Sequence, residues 1–137
     1  MVIAIAALLT AIAVPSYQQF TARARVAQAI GDVRMLDITI ERFRLKNNDR
    51  IPLTLDELGI DVPDDSWGRQ YQFLNIRTAV GKGSLRKDGA LNPLNTDYDL
   101  YSVGEDGSTA MPLSAKAARD DIVRANNGAY IGLGELY

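Results

Sequence analysis

From Met1 to Ala22 the chain carries no charged residue, and its first fourteen positions, "MVIAIAALLTAIAV", are apolar apart from Thr10. After Pro15, "SYQQFTARARVAQAIGDVRMLDITIERFRLKNN" places Val26, Ile30, Val33, Leu36, Ile40 and Phe43 at steps of three and four. That spacing makes one apolar helical face with charges on the others. Read together, the two stretches predict a single helical rod ending near Lys46, where Asn47, Asn48 and Asp49 stop it. Pro15 removes one backbone donor and is expected to kink the rod or loosen it locally. The rod is lopsided. Its first part needs apolar surroundings on every side, its second a domain on one side only. Fourteen helical residues rise only ~21 Å, short of the ~30 Å hydrocarbon core of a bilayer. No basic segment precedes them, as one would in a cleaved signal peptide. The segment therefore reads as most of a membrane helix whose beginning is missing.

The remainder reads as one ordinary domain within 137 residues, giving a division into an apolar helix half, 1–22, and a globular part, 23–137. "PLTLDELGI" suggests a short helix with Thr54 as cap, Glu57 three residues on and Gly59 as the stop. "RQYQFLNI", "YDLYSV" and "GAYIGL" read as strands, with a polar Gly- and Lys-containing loop between the first two. A net charge of −2 implies no polyanion-binding surface for the chain as a whole, so nucleic acid is not an expected partner. With no His and no Cys, Ser-His-Asp triads, Cys-His nucleophiles, ordinary zinc sites and disulfides are all excluded. An enzyme is not expected. What stands out instead is the segment from Asp97 to Ile122, which gathers five Asp and one Glu around glycines.

Val2 to Phe20, with its Pro15-Ser16-Tyr17 step, resembles the N-terminal helix of type IV pilins and type II secretion pseudopilins. Aligned on that proline, the chain starts several residues late, so the family's processed terminus and its glutamate fall outside it. "DDSWGRQYQF" is similar to the Asp-Pro-Trp-Gly-x-x-Tyr segment of the calcium-binding major pseudopilins, with Ser66 in place of the proline. "YDLYSVGEDG" followed by "DDI" resembles their C-terminal loop. The loop from Arg77 to Thr96 is not covered.

The resemblance implies an α+β fold: a long N-terminal helix, its second half packed on a small antiparallel sheet, followed by a long C-terminal loop. It implies a structural subunit that polymerises into a type IV pilus-like filament, closest to the major pseudopilin of a type II secretion system. The rivals are an extracellular pilin for adhesion, motility or DNA uptake, and a membrane-tethered calcium module that does not polymerise. The implied partners are further copies of the chain, minor pilins or pseudopilins, and the assembly machinery. The subunit would wait in the inner membrane and then enter a periplasmic or extracellular filament. Val2, Ile3, Ile5, Leu8, Leu9, Ile12, Val14 and Pro15 would form the assembly surface.

The resemblance also implies Ca²⁺, a hard cation that takes oxygen ligands. Its ligands would be the Val103 carbonyl, Asp106, Asp120 and Asp121, with the Ala118 carbonyl a weaker candidate. Such an ion would close a long loop in a chain without cysteine. One departure is visible: "STAMPLSAKAAR" makes the segment between Asp106 and Asp120 longer than the family's usual one. The spacing is not that of an EF-hand.

Other polar residues are read as ordinary. Asp97 and Asp99 are expected on a solvated strand face, and Arg77, Lys82, Arg86 and Lys87 in a solvated loop. Asp37 and Glu41 are expected as exposed helix charges without a defined partner. Trp67 and Tyr71 are expected in the core or sheet.

Overall fold

The computed structural model describes the backbone of residues 2–137 and the side chains of residues 14–137. One helix, α1, runs from Val2 to Lys46 without interruption at Pro15. The loosening expected there is not seen. The helix ends as the sequence indicates: Asn48 and Asp49 take positive φ, and the Asn47 side chain donates to the Phe43 carbonyl at 2.8 Å.

Four strands follow, β1 (Gln72–Asn75), β2 (Tyr98–Ser102), β3 (Ile122–Ala125) and β4 (Tyr130–Leu133). They form one antiparallel sheet in the order β1-β2-β3-β4, with pairings such as Phe73 opposite Leu100 and Arg124 opposite Ile131. The result is the α+β arrangement of the type IV pilin fold. Strand β3 was not among the sequence-derived strands. "IVRA" is buried at every position, so it shows none of the in-and-out alternation that marks a half-buried strand. The segment at Leu55–Leu58 is a 3-10 turn, not an α-helix. Thr54 makes no capping bond, but Glu57 reaches back to the Leu53 amide at 3.0 Å, and Gly59 closes the turn at φ 67°.

Ala29, Val33, Leu36 and Ile40 from α1 are buried against Ile51, Tyr71, Tyr98, Leu100 and Ile122. Fully burying side chains such as Val33, Leu36 and Ile40 is worth about 1.5–3 kcal/mol each, which fixes the helix on the sheet. Trp67 packs at the edge of this cluster, as expected. A second cluster of Leu94, Leu113, Val123 and Ala125 lies on the opposite face of the sheet. The chain between β1 and β2 and the chain between β2 and β3 supply Leu94 and Leu113, so both long loops cover that face. Among the described residues, no helix is long and apolar enough to cross a membrane.

Candidate functional site

Two regions carry the sequence-derived site residues. The first is the N-terminal part of α1. The side chains of Val2, Ile3, Ile5, Leu8, Leu9 and Ile12 lie outside the described residues. Beyond them, Val14, Tyr17 and Phe20 are 53%, 70% and 71% exposed. The apolar surface thus continues past Pro15 on a stretch of helix whose large side chains the subunit's own domain leaves uncovered.

The second region is the acidic loop after β2. Gly104 and Gly107 adopt φ 67° and 69°, and a Cβ at Gly104 would collide with the backbone and carboxylate of Asp120. The loop is therefore clasped onto Asp120, whose Oδ2 accepts from the Asp106 amide at 2.9 Å. The Asp106 carboxylate in turn accepts from the Ser108 amide at 2.7 Å. Asp121 points elsewhere. It is fully buried, and its Oδ2 accepts from Arg86 Nη2 and from the Thr109 hydroxyl, both at 2.6 Å. Arg86 Nη1 also donates to Thr109 Oγ1 and the Ala110 carbonyl, and its guanidinium stacks over the Tyr101 ring at 4.3 Å. On the other side of the loop, Arg69 donates to the carbonyls of Gly104 and Glu105 at 2.7 and 3.3 Å.

The residues implied as calcium ligands, Val103, Asp106, Asp120 and Asp121, are near one another in the chain path but do not form a ligand set as placed. Among the described residues no group of three or more carboxylates could hold a metal ion. Two guanidinium groups donate into this loop, Arg86 to Asp121 and Arg69 to the Gly104 and Glu105 carbonyls. Arg86 is only 1% exposed and so is not part of a solvated basic loop, correcting the expectation for it. A lone Arg in a polar loop gives no sequence signal for such burial, because its partner lies 35 residues away.

The helix carries a further network that sequence reasoning missed. Asp37 is not a free helix charge: its Oδ1 accepts from Arg124 Nε and from the Tyr98 hydroxyl, the latter at 2.7 Å. Arg124 also makes a two-pronged pair with Asp97, at 2.8 Å for each contact, and lies over the Tyr98 ring at 3.9 Å. Glu41 pairs with Arg44 at 2.8 Å. Neither Asp97 nor Asp99 sits on a solvated face. Asp99 is 1% exposed and accepts from the Arg86 amide and Asn95 Nδ2, both at 2.9 Å. Burial raises the Asp99 carboxyl above the usual carboxylate range. For Asp97 burial acts the same way, but Arg124 and the Tyr98 amide outweigh it and hold the carboxyl below that range. This network fixes the height and rotation of α1 on the sheet.

No family model and no solved structure matches the chain. Curated relatives do. A fimbrial protein of Neisseria meningitidis serogroup A is 26% identical over 92% of this chain and 74% of its own length. A second fimbrial protein, from serogroup B, is 26% identical over 90% and 77%. The type IV major pilin protein PilE1 of Neisseria gonorrhoeae is 27% identical over 88% and 73%. The similarity runs through helix and globular domain alike; it supports the type IV pilin superfamily and does not single out the calcium-binding major pseudopilins.

Proposed function

We propose that this chain is a structural subunit of a type IV pilus-like filament, with no catalytic role of its own. One observation carries the reading: a single 45-residue helix, charge-free in sequence through Ala22, whose Val14, Tyr17 and Phe20 are exposed while Ala29, Val33, Leu36 and Ile40 farther along pack on the domain. An apolar rod of that kind is stable only inside a membrane or among other rods. The two settings hold in turn, the inner membrane before assembly and the filament core after it. Similarity to pilins along nearly the whole chain supports the same reading.

The test is to introduce a charge into the rod, as Ile5→Asp or Leu9→Glu, and to measure sheared filament. Both variants should yield none, while the globular domain keeps its far-UV circular dichroism and melting temperature. Normal filaments from either variant would overturn the reading.

A second reading keeps the filament but assigns it to type II secretion. It is favoured by the turn at Asp65, whose carboxylate accepts from the Trp67 and Arg69 amides at 3.0 and 2.9 Å and from the Ser102 hydroxyl. That turn is the "DDSWGRQY" motif in three dimensions. Deleting the gene decides between them: loss of surface filaments supports the pilin, and loss of exoprotein secretion the pseudopilin. Calcium belongs to the second reading and is tested by chelation, as argued below.

A further inference from the structure

The outward face of α1 and the segment after it carry opposite charges that find no counterions within the subunit. Arg23, Gly31, Arg34, Ile38, Arg42 and Leu45 recur at helical spacing on the face opposite the buried Ala29, Val33, Leu36 and Ile40, and all six are exposed. The acids of this part of the helix have partners within the subunit: Asp32 accepts from the Tyr71 hydroxyl, Asp37 binds Arg124, and the half-exposed Glu41 is neutralised by Arg44 one turn on. The unpaired charges on the outward face are therefore bases. Arg23, Arg34 and Arg42 make no ion pair among the described residues.

Residues 51–68 show the reverse. They contain Asp56, Glu57, Asp61, Asp64 and Asp65 and no base. Glu57 is held by Arg50 and Asp65 by its own turn, which leaves Asp56, Asp61 and Asp64 unpaired among the described residues. Asp56 and Asp61 line a groove of ≈ 520 Å³ whose apolar lining includes Leu53, Ile60, Val62 and Phe73. Leu53 and Ile60 are 58% and 39% exposed.

We propose that these two surfaces are the two halves of one interface between copies of this chain. Ile38 and Leu45 of one copy would seat against the groove of the next, with Arg34 and Arg42 meeting Asp56 and Asp61. The patches are different parts of the subunit, so the contact is heterologous and propagates instead of closing on a two-fold axis. Gly31 supports close approach at this face. A Cβ there would meet nothing within 4 Å in the single subunit, yet glycine inside a helix costs about 1 kcal/mol relative to alanine. The isolated subunit gains nothing from it.

This inference rests on the filament reading, and the experiment separates the two. Filament yield is measured for the full chain with its assembly machinery in four forms: wild type, Arg34→Glu/Arg42→Glu, Asp56→Lys/Asp61→Lys, and all four changes together. Each one-sided reversal should lower the yield at least about ten-fold, and the combined reversal should restore it. Because the changed residues are exposed, the melting temperature of the globular domain should stay constant across the set. In this cysteine-free chain, Ile38→Cys combined with Ile60→Cys should give a ladder of disulfide-linked copies, absent from either single variant.

Reversals that leave assembly unchanged would overturn the interface. So would losses that the combined variant does not repair, which would assign the basic face to another partner, such as an anionic lipid surface. A wild type that never assembles would overturn the filament reading and this inference with it.

Discussion

Arg124 is where the helix is tied to the sheet. It is 2% exposed, and its partners Asp37 and Asp97 come from α1 and from the residue before β2. Removing one member of a buried ion pair leaves the other charge uncompensated, at a cost of about 3–5 kcal/mol. Arg124→Met should therefore lower stability by that amount in urea unfolding, well beyond a surface substitution. Asp97 gives the network a pH signature. Its folded carboxyl titrates below the ordinary value of 3.8, so it binds fewer protons folded than unfolded. Its stabilising contribution is complete above that value and disappears as pH falls through the lower folded value. Asp97→Asn should flatten the acid limb of the stability curve in this window; an unchanged limb would show that the pair is not linked to folding.

At the scale of elements, α1 and β3 make different demands on the sequence. The outward face of α1 should tolerate Gly31→Ala, which removes a flexible residue and meets no neighbour. The change should stabilise the isolated domain by about 1 kcal/mol in thermal melts. A bulkier Gly31→Leu should leave the domain folded and reduce filament yield. Strand β3 lies inside the sheet between β2 and β4, and its four residues are all buried. Its amides should be the most protected in hydrogen exchange, with those of the edge strands β1 and β4 opening earlier. Faster exchange in β3 than in β1 would contradict the strand order.

For the whole molecule, the long loops are closed by arginine. Arg86 joins the chain before β2 to Asp121, which immediately precedes β3, and Arg69 joins the "DDSWGRQY" turn to the loop after β2. Chelation is accordingly expected to leave the melting temperature of the wild type unchanged. Arg86→Met, which strands the buried Asp121 carboxylate, should cost about 3–5 kcal/mol. A clear fall in melting temperature on adding a chelator to the wild type would restore calcium as the staple of this loop.

The long helix, its end at Lys46, its apolar and amphipathic halves and three of the four strands are legible in the order of residues alone. These follow from local periodicity and stop signals, which neighbouring residues carry between them. The fate of the charges is set by packing instead. Asp37, Arg86, Asp97, Asp99 and Asp121 read as ordinary polar positions or as ligands, and Arg124 carries no signal at all, yet all six take partners inside the domain. Those partners lie as far as 87 residues away, as Asp37 and Arg124 do. An ion pair of that kind leaves no periodic trace, because it depends on which faces meet once the helix packs on the sheet. The same packing ties Asp32 and Asp37 to the domain and leaves Arg23, Arg34 and Arg42 unpaired on the outward face, so the charge pattern offered to a neighbouring copy belongs to the fold.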